Sequence, residues 1–158
     1  MMQELYAYIF GSPDHNRLKK ELSKTLLFKD LTSRELDVVA QRNNIRTFKQ
    51  GEHVFFQGDP GSALYVILRG TINIERHDPR RHITLAALGQ GMFFGELAIV
   101  FEGVRSATAY VAEDSTLFCL FKHDLDRILK HHPRLGNKLL LNLSRILAER
   151  LRASNERK

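Results

Sequence analysis

Glu96 and Arg105 frame the stretch of this sequence best suited to chemistry, Gly91-Met92-Phe93-Phe94-Gly95-Glu96-Leu97-Ala98-Ile99-Val100-Phe101-Glu102-Gly103-Val104-Arg105-Ser106-Ala107-Thr108-Ala109. Arg105 stands between Val104 and the small residues Ser106 and Ala107, just before an apolar run. A guanidinium in such a place needs an anion, because a buried unpaired charge is very costly. Two readings fit. In one, Glu96 is that anion and an internal ion pair closes the loop. In the other, Arg105 grips a phosphate through its bidentate fork. Main-chain N–H groups of a short turn at Leu97 and Ala98, and those of Ser106 and Ala107, would then complete the cradle. Glu96 would accept a hydrogen bond from a sugar hydroxyl. Gly95 on one side and Gly103 on the other allow the tight turns and close backbone approach that either reading requires. Taken from these two residues alone, the internal ion pair is the simpler account.

Other chemistries find less support. The seven histidines (His15, His53, His77, His82, His123, His131, His132) include no His-x-His on a strand. His131-His132 falls at a helix break and reads as a solvated pair, so no metal site is expected. The single cysteine, Cys119, cannot form an internal disulfide or supply a Cys-ligated zinc or iron–sulfur site. A reducing cytoplasm is the natural setting. No nucleophile stands with a base, and catalysis is not expected.

Three zones of patterning position the Glu96–Arg105 segment. From about His15 to Asn43 the spacing is helical, with Leu18, Leu22, Leu26 and Leu27, then Leu36, Val39 and Ala40. Thr32-Ser33-Arg34-Glu35 has the form of a capping box. From Ile45 to Phe121 short apolar stretches alternate with turn residues such as Gly58-Asp59-Pro60-Gly61 and Asp78-Pro79. The stretches are 53–56, 64–68, 71–76, 82–87, 107–112 and 116–121, which imply a closed or double-layered antiparallel β structure. Leu97–Phe101 is too short for an independent helix and fits a loop or single helical turn. Beyond Lys122 the helical period returns. A short helix at 124–130 stops before Pro133, and a long one begins there, carrying Leu135, Leu139, Leu140, Leu143, Ile146, Leu147 and Leu151.

The chain of 158 residues suits one domain, with residues 1–15 an N-terminal extension and 16–158 the domain proper. Its net charge of +6 is unevenly placed. Residues 1–121 hold 14 basic and 14 acidic side chains, and residues 122–158 hold 10 and 4. A basic helix can bind phosphate backbones, but a solvated face opposite an apolar one is the simpler account. The N-terminus lacks a basic export signal, and no apolar run is long enough to span a bilayer.

The run Phe94-Gly95-Glu96-Leu97-Ala98, followed by Arg105-Ser106-Ala107-Thr108, resembles the phosphate-binding cassette of the cyclic-nucleotide-binding family. That family takes in bacterial catabolite activators, regulatory subunits of cAMP-dependent protein kinase and cytoplasmic domains of cyclic-nucleotide-gated channels. The likeness extends from about Leu26 to Leu151. It includes Leu26–Leu31, Gly51, Phe55–Asp59, Leu64–Gly70, Leu88–Gly91 and His132-Pro133.

The resemblance implies a mainly β fold, an antiparallel jelly-roll-like β-roll over about 45–121 with N-terminal helices and C-terminal helices over 122–156. It also implies a cyclic-nucleotide sensor in which Gly95 and Glu96 meet the ribose 2′-hydroxyl, while Arg105 with the Ser106 and Ala107 amides holds the phosphate. Many members have Pro where Val104 stands. Ser106 follows the cassette arginine, as in bacterial cAMP receptors, and cAMP is expected over cGMP. By the same resemblance the long helix forms a homodimer and acts as a lid, with Arg150 near the ribose and Ser154 or Asn155 at the base. A frayed polar end at 153–158 is the competing expectation for that segment. Relatives often continue into a DNA-reading domain; if Lys158 is the natural end, direct DNA binding is not expected and the output passes to a dimer mate or another protein. A degenerate β-roll serving as a protein scaffold, or a truncated transcription regulator, are the other readings.

Overall fold

The computed structural model describes residues 13–41 and 44–157, so most of the expected N-terminal extension lies outside the described residues. In chain order the elements are α1 (Pro13–Ser23), a 3₁₀ turn (Leu26–Phe28), α2 (Ser33–Ala40), β1 (Ile45–Phe48), β2 (His53–Phe55), β3 (Ala63–Arg69), β4 (Ile72–Asp78), β5 (Arg81–Leu88), β6 (Phe93–Phe94), α3 (Leu97–Val100), β7 (Thr108–Val111), β8 (Ser115–Phe121), α4 (Lys122–His131) and α5 (Pro133–Glu156). They group into a β unit, residues 44–127, and a helical unit built from the chain's two ends.

The β unit is two four-stranded sheets, ordered β1-β8-β3-β6 and β2-β7-β4-β5, with every pairing antiparallel. This is the expected double-layered β-roll. Alternation along each strand fills its core. Ala63, Tyr65 and Ile67 of β3 meet Ile72, Leu88, Phe94, Ala109, Val111, Leu117 and Cys119 in one buried cluster. Burial pushes the Cys119 thiol up to about 11, so it is an inert core side chain. Strands β1 and β6 were not among the apolar stretches read from the sequence. β1 is mostly exposed and β6 is two residues long, so neither leaves a periodic signal.

In the helical unit, Leu18, Leu22, Leu27, Phe28, Leu36, Val39, Leu135, Leu139 and Leu143 are buried. Thr32 caps α2 as the sequence predicts. Its side chain accepts from the Glu35 amide at 3.2 Å, while Glu35 Oε1 accepts from the Thr32 amide at 3.0 Å. The buried amide of Asn142 donates to the carbonyls of Leu27 and Lys29, both at 3.0 Å, tying α5 to the 3₁₀ turn. α5 continues to Glu156. Among the described residues, no helix is long and apolar enough to cross a membrane.

Candidate functional site

The segment between β6 and β7 is built around Arg105, and Phe94 leads into it from the core. Gly95 then turns the chain at φ +76°, a left-handed conformation that favours glycine. Glu96 follows in helical geometry, and α3 supplies one short turn, with Phe101 N–H donating to the Leu97 carbonyl at 2.9 Å. Two loops clamp the far end. Arg105 N–H donates to the Asp59 carbonyl at 2.7 Å, and Gly58 N–H donates back to the Arg105 carbonyl at 2.8 Å. Pro60 and Val104 form a bridge between the same loops. The backbone of Arg105 is therefore fixed from a turn almost fifty residues upstream.

Its side chain lies inside the unit, with only 7% of the residue exposed. One Nη donates to the Ala63 carbonyl at 2.9 Å and the other to the Gly95 carbonyl at 3.3 Å. The guanidinium carbon sits 4.0 Å from the centre of the Phe55 ring. Nε is buried without a hydrogen-bond partner. A Cβ at Gly61 would stand 2.8 Å from that Nε, and one at Gly95 would stand 2.7 Å from Nη1. Two glycines thus leave the space that the guanidinium occupies.

The electrostatics follow from this packing. Burial pulls the Arg105 pKa down, while Tyr65, Asp59 and Glu96 act the other way. Arginine nevertheless stays protonated. The site is therefore a desolvated cation held by two carbonyl oxygens and an aromatic face, with Tyr65, Asp59 and Glu96 near enough to favour its charge. Asp59 and Glu96 lie close enough for their charges to favour the protonated guanidinium, so the internal ion pair stands beside the ligand reading.

The other residues singled out in the sequence divide into two groups. Gly95 and Glu96 are half-buried, Ala98 and Ala107 are buried, and Leu97 and Ser106 are exposed, all within the β unit beside Arg105 in the chain. The Ala98 amide is already engaged, donating to the Gly95 carbonyl at 3.2 Å. Arg150, Ser154 and Asn155 are exposed residues of α5 and belong to the helical unit. Sequence reasoning missed Phe55, Gly61 and Ala63 as builders of the site. Of these, only Gly58-Asp59-Pro60-Gly61 left a signal, as a turn.

A second constellation was also missed. Register pairing sets His77 directly opposite His82 across the β4–β5 hairpin, with Glu75 two residues along on the same face. One donor atom from each of the three lies within 4.8 Å of the others. The spacing His77-Asp78-Pro79-Arg80-Arg81-His82, symmetric about the turn, was the available signal.

Comparison with known proteins agrees with this architecture. Residues 45–132 match the family model described as the cyclic nucleotide-binding domain. The cyclic AMP receptor protein of Thermus thermophilus is 37% identical over 130 residues, which is 82% of this chain and 58% of that protein. The crystal structure of the Thermus thermophilus catabolite activator protein superposes with a TM-score of 0.76 at 35% identity, over 84% of this chain and 61% of the other. A cyclic nucleotide-binding domain from Methylobacillus flagellatus gives a TM-score of 0.76 at 26% identity, over 91% of this chain and 82% of that one. The chain thus spans somewhat more than half of its curated relative. With the match covering its whole β-roll, this chain belongs to the cyclic-nucleotide-binding domain family.

Proposed function

We propose that the module is a cAMP sensor, in which Arg105 binds the cyclic phosphate and Glu96 accepts a hydrogen bond from the ribose 2′-hydroxyl. One observation carries this reading: a buried guanidinium whose Nε has no hydrogen-bond partner and whose two Nη donate to main-chain carbonyls. A cyclic phosphate brings one permanent negative charge and two exocyclic oxygens to such a cation. The amides of Leu97, Ser106 and Ala107 add donors, and Gly95 and Ala98 let the backbone approach closely. The name of the Thermus relative favours cAMP over cGMP, and Ser106 after the arginine is compatible with it. The module binds and reports; its own residues supply no chemistry.

The signal leaves through α5, to a second copy of the chain or to another protein. Leu139 and Leu143 are 2% and 3% exposed and serve the chain's own interior. The stripe left for a mate is Leu140, Leu147 and Leu151, with Leu151 63% exposed.

Calorimetric titration with cAMP, in competition with cGMP, tests the assignment. Arg105→Ala should weaken binding by about 2–5 kcal/mol, the cost of truncating one side of a desolvated charge pair. Glu96→Ala should discriminate less than wild type against 2′-deoxy-cAMP. Undiminished binding by the Arg105 variant removes the assignment, and tighter binding of cGMP overturns the choice of base.

A further inference from the structure

We propose that Glu75, His77 and His82 form a binding site for a divalent transition cation of the zinc type, on the β4–β5 hairpin and separate from Arg105. The chemistry of the donors is the first reason. Two imidazole nitrogens and one carboxylate oxygen are ligands suited to zinc, and three protein ligands leave one coordination position open. Both rings are exposed, so water can fill that position.

The second reason is how the fold delivers them. Glu75 and His77 are two apart on β4 and share a face, and His82 is the register partner of His77. β4 is an inner strand, paired with β7 on one side and β5 on the other. Glu75 is itself opposite Thr108 of β7. The main chain of His77 is fixed further by its N–H donating to Gln57 Oε1 at 3.0 Å. The donors therefore stand on a paired scaffold, not on a free loop.

The third reason is the state of Glu75. It is 8% exposed, and the ion pair its carboxylate makes is with the His82 imidazole, Oε2 to Nε2 at 3.2 Å. A carboxylate taken this far from water is stabilised by a cation. On its other side His82 turns Nδ1 to Nδ1 of His77 at 3.3 Å. Two ring nitrogens at that separation stand as neighbouring donors on one metal ion would.

Distances agree with that occupant. Bonds of about 2.0–2.1 Å in a tetrahedron place neighbouring donors roughly 3.3 Å apart. As the side chains stand, His82 spans the other two through both of its nitrogens. A metal takes one nitrogen from each ring, and one donor atom of each of the three residues lies within 4.8 Å of the others. The bound ion would cross-link β4 to β5 and neutralise Glu75.

The test is a titration of the nucleotide-free protein with zinc alone, followed by cobalt as a spectroscopic substitute. Wild type should take one zinc per chain and show the strong visible absorption of four-coordinate cobalt. His77→Gln and His82→Gln should each weaken zinc binding by about tenfold or more, and the double variant should lose the cobalt spectrum. Circular dichroism without metal checks that these exposed hairpin positions leave the fold intact. No zinc uptake by wild type, or equal uptake by the double variant, overturns the proposal; the latter would place the ion on other histidines.

Discussion

Arg105 is a charged side chain held in place at the expense of its own solvation. Its two Nη bonds and the Phe55 face fix the plane of the guanidinium but supply no charge. The glycines around it set the tolerance of the arrangement. At Gly95 both φ and space exclude a side chain, since a Cβ would lie 2.7 Å from Arg105 Nη1 and 3.2 Å from the Ala63 carbonyl. Gly95→Ala should therefore strain the left-handed turn by about 1–2 kcal/mol and push the guanidinium out of its place. We expect a lower melting temperature together with a loss of cAMP affinity larger than that stability change explains. A variant that melts earlier but binds as tightly as wild type would show that Gly95 serves only the turn. The sequence made Arg105 and Glu96 legible because a lone cation beside glycines and small residues is unusual. It left Phe55, Gly61 and Ala63 illegible, because they reach the site only through strand pairing and the clamp between residues 58–61 and 103–105.

Among the elements, α2 and α5 are joined by a contact whose pH dependence can be stated. Glu35 closes the capping box and also accepts from Lys138 Nζ at 2.7 Å. The Lys138 hydrogen bond is the main influence holding the Glu35 carboxyl below its ordinary value, with the Thr32 bonds adding to it against partial burial. A carboxyl depressed in the folded state gives stability that is complete above its unfolded pKa and is lost as pH falls through the folded one. Lys138 keeps 41% of its side chain exposed, so solvent screening limits the pair to about 0.2–1 kcal/mol. Glu35→Gln, which keeps an oxygen for the cap, should cost that much at neutral pH and nothing once both forms are below the carboxylate range. Urea denaturation at the two pH values checks this; an equal difference at both would mean that the amide simply fits less well. The capping box was readable because it is local, with Thr32 and Glu35 three residues apart. Lys138 was not, since its partner lies about a hundred residues away. The same division explains the strands. Six were announced by apolar runs, whereas β1 and β6 are fixed by their neighbours β8 and β3.

At the scale of the whole molecule, the proposed route for the signal is α5, whose two halves are held very differently. Its first half is anchored, with Leu135, Leu139, Asn142 and Leu143 all buried. From Ala148 to Arg157 every residue is exposed. A helical end of that length with no buried face is marginally stable by itself in water, so it should open and close readily, as chain termini do. Arg150, Ser154 and Asn155 all lie within this weakly held half. A ligand that favours the ordered helix over the frayed one shifts that population. We therefore expect hydrogen exchange at 148–156 to be fast without nucleotide and to slow when cAMP binds. Exchange at 135–143 should already be slow and change little, because its protection comes from packing inside the helical unit. The Glu96–Arg105 segment should gain protection in step with occupancy. If that segment becomes protected while 148–156 exchanges as before, the last two turns of α5 are a frayed end and the output runs through another surface. If 148–156 slows only as protein concentration rises, with or without cAMP, a second copy of the chain covers the helix instead of the ligand.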